Sequence, residues 1–141
     1  MALVRHVSIQ NFRGIASLDW FPNSGINAII GPGDTGKSTV LEAIDLVVGA
    51  RRASFTDADF HKLDTNKPII IDITIGQLPK ELLNLEAYIR FLRGYDSVFE
   101  MIDDEPGDGV EPAITLRLKV TGDCEPTWSL QSYGRTWVMA D

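Results

Sequence analysis

Three observations predict an α/β fold. Apolar and polar residues alternate along Leu3 to Phe12, Ile69 to Ile75 and Ile114 to Val120, the pattern of half-buried strands. The run Ile26-Asn27-Ala28-Ile29-Ile30 is short and apolar throughout, as in a strand buried inside a sheet. A stretch of helical period follows that run across a glycine-rich turn: Val40, Leu41, Ile44, Val47 and Val48 recur at i, i+1, i+4, i+7 and i+8 and so predict one apolar helix face.

In chain order, Leu3, Val7 and Ile9 are assigned to the core side of the first strand and His6, Ser8 and Gln10 to the other. Asn11-Phe12-Arg13-Gly14 reads as a turn into a second strand, Ser17 to Phe21, and Pro22 to Gly25 as the next turn. The helix is expected from about Lys37 to Val48, with Gly49 as its stop. Residues 51–67 are polar and predict no clear element. A strand over Ile69 to Ile75 comes next. Pro79 suits a first helical turn, with Leu82, Leu85, Ile89 and Leu92 on the buried side and Gly94 at the end. Glu100 to Glu111, acidic and holding Pro106, Gly107 and Gly109, reads as an exposed loop. The chain then predicts the strand at Ile114 to Val120, and a last strand or hairpin from Trp128 to Met139 around Tyr133-Gly134. Neither an internal repeat nor a long linker divides residues 1–141, which read as one domain.

The chemistry is concentrated in Gly31-Pro32-Gly33-Asp34-Thr35-Gly36-Lys37-Ser38, a full match to G-x-x-x-x-G-K-S/T with a strand before it and a helix after it. Glycines let successive backbone N–H groups curl toward phosphate oxygens, and the helix N-terminus adds partial positive charge. Lys37 is expected to stabilise the β- and γ-phosphates, Ser38 to ligate Mg2+, and Thr39 to donate one more hydrogen bond. Asp34 is an unusual neighbour for a polyphosphate; it reads either as a turn former at the loop tip or as a residue meeting the metal shell or a partner subunit. The sequence thus predicts a P-loop NTPase that binds a nucleotide with Mg2+.

Val7-Ser8-Ile9-Gln10-Asn11-Phe12-Arg13-Gly14-Ile15, Gly25 to Gly31 and Gly36 to Ile44 together resemble the N-terminus of RecF- and SMC-like ATPases of the ABC superfamily. Within that group the chain looks most like the OLD family, which joins such an ATPase to a C-terminal Toprim nuclease domain. The resemblance is close over about the first 50 residues. It implies the first lobe of an ABC-type ATPase head with flanking antiparallel strands, ATP as the nucleotide, a cytoplasmic protein, and a parent that dimerises or assembles further and acts on DNA. It also implies that Arg13 lies near the nucleotide and contacts phosphate or ribose; the alternative is a surface arginine on a turn. No G-specific N-K-x-D stretch is present.

The departures are as informative. A Walker B strand, four apolar residues ending in an acid, is not found; Met101-Ile102-Asp103-Asp104-Glu105 is the nearest candidate and reads as solvated acid. The signature motif is also missing. Gln77 and Gln131 are the candidates for a glutamine linking metal to the helical region. Residues 1–141 are therefore expected to be the N-terminal half of an ATPase head, with Walker B, signature and any nuclease domain elsewhere. Such a piece should bind Mg-ATP and hydrolyse it poorly. A small P-loop kinase and a non-catalytic nucleotide-gated interaction module are the rival readings.

Composition narrows the field. The net charge is −7, which argues against DNA binding through the general surface of this chain while leaving room for a local basic groove. The lone Cys124 excludes a disulfide framework and is expected to be inert. No apolar stretch approaches the ~20 residues that span a bilayer. Asp57, Asp59 and His61 could bind a cation or simply lie in a polar loop. Arg51 and Arg52 suit the C-terminal end of the helix dipole. Trp128 and Trp137 read as packing residues, as do Trp20 and Phe21, which also fall in the region where the resemblance implies base stacking.

Overall fold

A computed structural model describes residues 3–22, 35–49, 54–78, 91–99, 101–103, 107, 109–132 and 135–138, of which 35–38, 49, 132 and 135–138 by backbone alone. The elements are β1 (Leu3–Phe12), β2 (Ile15–Trp20), α1 (Thr35–Gly49), β3 (Ile69–Gly76), β4 (Arg93–Asp96), β5 (Met101–Asp103), β6 (Glu111–Val120), β7 (Pro126–Ser132) and β8 (Arg135–Val138), with single 3-10 turns at Asp57–Asp59 and His61–Leu63. The sheet runs β2-β1-β3-β6-β4-β5, and β6 also pairs with β7, which pairs with β8. Every strand pairing among the described residues is antiparallel. The strand expected at 26–30, the glycine-rich residues 31–34 and the helix expected after Pro79 lie outside the described residues.

One face of the sheet carries the core. Ile9, Ile71 and Leu118 stand side by side across β1, β3 and β6, and Val7 pairs with Ile73 in the next row. Val40, Ala43 and Val47 of α1 close this layer together with Phe12, Phe55 and Phe60. The isoleucines of β3 alternate as predicted, because a period of two puts residues 69, 71 and 73 on one side. Trp128 of β7 packs against the core, and its Nε1 donates to the Leu46 carbonyl at 3.0 Å. That carbonyl sits in the last turn of α1, where no intrahelical donor remains, so the bond fastens the helix end to the sheet.

Four expectations need correction. Leu3 was assigned to the core face of β1, but the register shifts between Val4 and His6, and Val4 packs on the core instead. A bulge adds one residue to the strand and reverses the faces on its far side. Leu41 and Val48 of α1 are exposed, while Ala43 is fully buried, so the buried stripe is narrower than the sequence face suggested. Gly94, expected to end a helix, lies inside β4, paired with Pro112 of β6 and Asp103 of β5. This pairing buries Tyr95. Finally, Met101–Asp103 is a three-residue edge strand, and Glu111 opens β6 and forms a two-pronged ion pair with Arg5 at 2.8 and 2.9 Å. Gly76 makes room for that pair: a Cβ there would stand 1.9 Å from Glu111 Oε1.

Candidate functional site

The site is assembled around the Asn11-Phe12-Arg13-Gly14 turn. Asn11 and Arg13 have φ of 59° and 51°, the left-handed region, which Asn tolerates better than most side chains. The turn at Asn11 breaks the alternation of β1, so that Phe12 as well as Ile9 enters the core. The Asn11 side-chain amide donates to the carbonyls of Asp64 and Lys67 at 3.1 and 2.8 Å. Two loop carbonyls are thereby satisfied by one nearly buried amide.

The segment 54–67 is clasped to this turn. Phe12 and Phe60 form an isolated antiparallel bridge, and Arg13 N donates to the Asp59 carbonyl at 2.7 Å. His61 Nδ1 lies 2.8 Å from the Arg13 carbonyl, so this nitrogen carries the proton and donates. The sequence predicted no element here. The structure shows two 3-10 turns held down by Phe55 and Phe60, both buried. Those two phenylalanines in an otherwise polar stretch were the available signal.

Arg13 is the hub. Its Nε donates to Asp59 Oδ1 at 3.0 Å, its Nη1 to Glu42 of α1, and its guanidinium carbon lies 4.8 Å from the centre of the Phe12 ring. Asp59 also accepts from Thr56 N at 3.0 Å, which fixes the carboxylate across the 3-10 turn. Desolvation pulls the Arg13 guanidinium down, but the hydrogen bonds to Glu42 and Asp59 outweigh it and raise the group above the ordinary arginine value. Glu42 falls one helical turn after position 38. Arg13 therefore joins the turn, the 54–67 segment and the helix that carries the lysine and serine of the phosphate motif.

The other predicted residues fall as follows. Gly31, Pro32, Gly33 and Asp34 lie outside the described residues. Thr35, Gly36, Lys37 and Ser38 form the first turn of α1 in backbone, two residues earlier than the sequence suggested, and Thr39 is buried. Asp57, Asp59 and His61 do not converge on one point: Asp57 faces Cys124 Sγ at 3.8 Å, Asp59 holds Arg13, and His61 holds the Arg13 carbonyl. Burial, then the neighbouring Asp57, pushes the Cys124 thiol up, in keeping with an unreactive cysteine. Gln77 is exposed just past β3 with φ of 50°, and Gln131 donates to Ser129 Oγ at 2.7 Å. Trp20 packs against the core, and Phe21 is stacked between His6 and Tyr95, with ring centroids 4.4 and 6.4 Å away. His6 is in turn bound to Asp19. No helix among the described residues is long and apolar enough to cross a membrane.

This arrangement has the fold of an SMC-type ATPase head region. A solved SMC ATPase, from work on ATP-driven dimerization and DNA-stimulated activation of those enzymes, matches 97% of this chain and 72% of its own at a TM-score of 0.55 and 17% identity. Residues 3–114 match the AAA ATPase domain family, and the chain belongs to it. Its relatives are of the OLD and RecF kind. The chain is 33% identical to the OLD nuclease of Thermus scotoductus over 113 residues, 75% of this chain and 21% of that protein. It is 50% identical over 38 residues to the DNA replication and repair protein RecF of Prosthecochloris aestuarii, 27% of this chain and 10% of that protein. The RecF of Shewanella denitrificans gives 44% over 41 residues, 29% of this chain and 11% of that protein. The chain thus spans about a fifth, or less, of the length of these relatives.

Proposed function

We propose that residues 1–141 form the nucleotide-binding first lobe of an OLD- or RecF-like ATPase head and hold Mg-ATP through Gly31 to Thr39. The observation that carries this reading is the membership of residues 3–114 in an ATPase domain family, with α1 beginning inside the phosphate motif at Thr35. In the proposed complex, the backbone N–H groups of Gly33, Asp34, Thr35 and Gly36 would donate to phosphate oxygens. Lys37 neutralises the β- and γ-phosphates, the Ser38 hydroxyl takes one position on Mg2+, and Thr39 closes the first helical turn.

Arg13 is assigned a phosphate or ribose contact. Its Nε bond to Asp59, the less exposed of its two partners at 16% against 49% for Glu42, is retained, while the Glu42 contact is exchanged for the nucleotide. Phosphoryl transfer also needs a positioned water and charge stabilisation beyond the γ-phosphate. Those groups are assigned to a Walker B strand and a signature motif outside residues 1–141, so binding without efficient turnover is the behaviour proposed for this chain. For the parent protein we propose ATP-dependent DNA processing by a cytoplasmic dimer or larger assembly.

The test is a titration with a fluorescent ATP analogue, with and without Mg2+. The chain should bind saturably, and Ser38→Ala should remove most of the Mg2+ dependence while keeping weaker binding. Absence of saturable binding at any Mg2+ concentration contradicts the proposal.

A further inference from the structure

Behind the Asn11-Phe12-Arg13-Gly14 turn, away from the glycine-rich stretch in sequence, lies an open cavity of about 710 Å3. It is lined by the apolar Ala16, Pro68 and Ile70 and by side chains that can donate, Gln10, Ser17, Lys62 and Lys67. Asp64 is the one acid on the rim, and one of its carboxylate oxygens already accepts from Asn66 N at 3.1 Å. In a chain of net charge −7, this rim is a local inversion of sign.

The backbone here is held in an unfavourable form by the turn's own hydrogen bonds, from Leu63 N to the Phe60 carbonyl and from Asp64 N to the His61 carbonyl, each 3.0 Å. Lys62 and Leu63 are consecutive residues with φ of 53° and 57°. Each left-handed non-glycine residue costs roughly 1–2 kcal/mol. Leu63 is 65% exposed and Lys62 is exposed too, so the conformation buries no apolar surface in return. It does put Lys62 on the rim. Asn11 ties the loop down by holding the Asp64 and Lys67 carbonyls. His61 has its Nδ1 tied to the Arg13 carbonyl and so helps to hold the loop against the turn. Strain that packing does not explain is a mark of a functional position.

We propose that this cavity is a second anion site, which takes one phosphate group between Lys62 and Lys67, with Gln10 and Ser17 beside it. The phosphate comes either from a nucleic-acid backbone or from a free nucleotide. The site does not depend on the phosphate loop, and its test is made so that the two stand or fall separately.

The experiment uses Lys37→Ala, in which the phosphate loop is disabled. Binding is followed by anisotropy of a short labelled oligothymidylate, and by calorimetry with AMP and with inorganic phosphate. Adding Lys62→Ala and Lys67→Ala should weaken binding at least about tenfold, the loss expected for charge-assisted hydrogen bonds. Lys119→Ala, an exposed lysine off the rim, should change nothing. Oligothymidylate binding displaced by phosphate, without AMP binding, assigns the backbone as the source; AMP and phosphate binding without the oligomer assigns a free nucleotide. Lys62→Gly relieves the strain, so its Tm should be unchanged or higher while binding falls, which separates lost binding from lost folding. The proposal is overturned if none of the three probes binds, or if the double lysine replacement binds as tightly as its parent.

Discussion

On the Asn11-to-Gly14 side of the sheet, Phe12 and Phe60 are 0% and 1% exposed, and the Asn11 amide, the Arg13 guanidinium and the Arg13 backbone all bond to the 54–67 segment. On the β4–β5 hairpin, Val98, Phe99 and Met101 are 81%, 72% and 55% exposed, and the edge strand is three residues long. The hairpin tip is shaped by local bonds, with Asp96 Oδ1 accepting from the backbone N–H of Val98 and Phe99 at 2.9 and 3.2 Å. The first region spans β1, α1 and the 54–67 segment, which are remote in sequence; the tip of the second bonds within residues 96–99. Order is thus concentrated where the phosphate-motif helix must be placed. The outer edge relies on brevity and on the flanking acids Asp96 and Asp103 to discourage strand addition.

The comparison can be broken most forcefully at Phe12. Phe12→Ala should cost about 3–5 kcal/mol, since a fully buried ring leaves a cavity at the junction of β1 and the 54–67 segment. Urea unfolding measures this, and a loss below about 1 kcal/mol would show that the junction is not part of the core. Asn11→Ala comes next, at about 2–4 kcal/mol, because it strands two loop carbonyls and replaces a residue that tolerates the left-handed region with one that does so less well, at φ of 59°. Asn11→Gly should recover part of this, as it relieves the backbone but not the carbonyls.

Asp59→Ala should cost less, about 1–2 kcal/mol. It removes a 3-10 turn cap and one arm of an ion pair whose arginine is a third exposed, so solvent weakens the pair. The smallest effect is reserved for the hairpin. Phe99→Ser should change stability by no more than about 0.5 kcal/mol and reduce self-association seen by light scattering at high concentration. A large stability loss there would mean that the hairpin tip packs against something and that the contrast between the regions is false.

The sequence made the long described elements legible, and it did so through period. Ile69, Ile71 and Ile73 were readable as one face because β3 is regular. Of the two readings left for Trp128 to Met139, one strand or a hairpin, the pairing of β7 with β8 selects the hairpin. Leu3 was misplaced because a bulge leaves no trace in a two-residue alternation. Gly94 was misread because its strand is set by distant partners, Pro112 and Asp103, rather than by local preference. The same holds at the candidate site. Arg13 stood out by resemblance, but its partners Glu42 and Asp59 lie 29 and 46 residues away, and nothing in spacing joins them. Segment 54–67 looked polar because its two anchors, Phe55 and Phe60, are outnumbered by side chains that face the turn or the solvent.

The most direct measurement is a calorimetric titration of the 141-residue chain with ATP and Mg2+, beside Lys37→Ala. Saturable binding by the parent chain that the alanine replacement abolishes is the predicted result. Equal binding by both, or none by the parent chain, would contradict the assignment of Gly31 to Thr39 as a working phosphate loop.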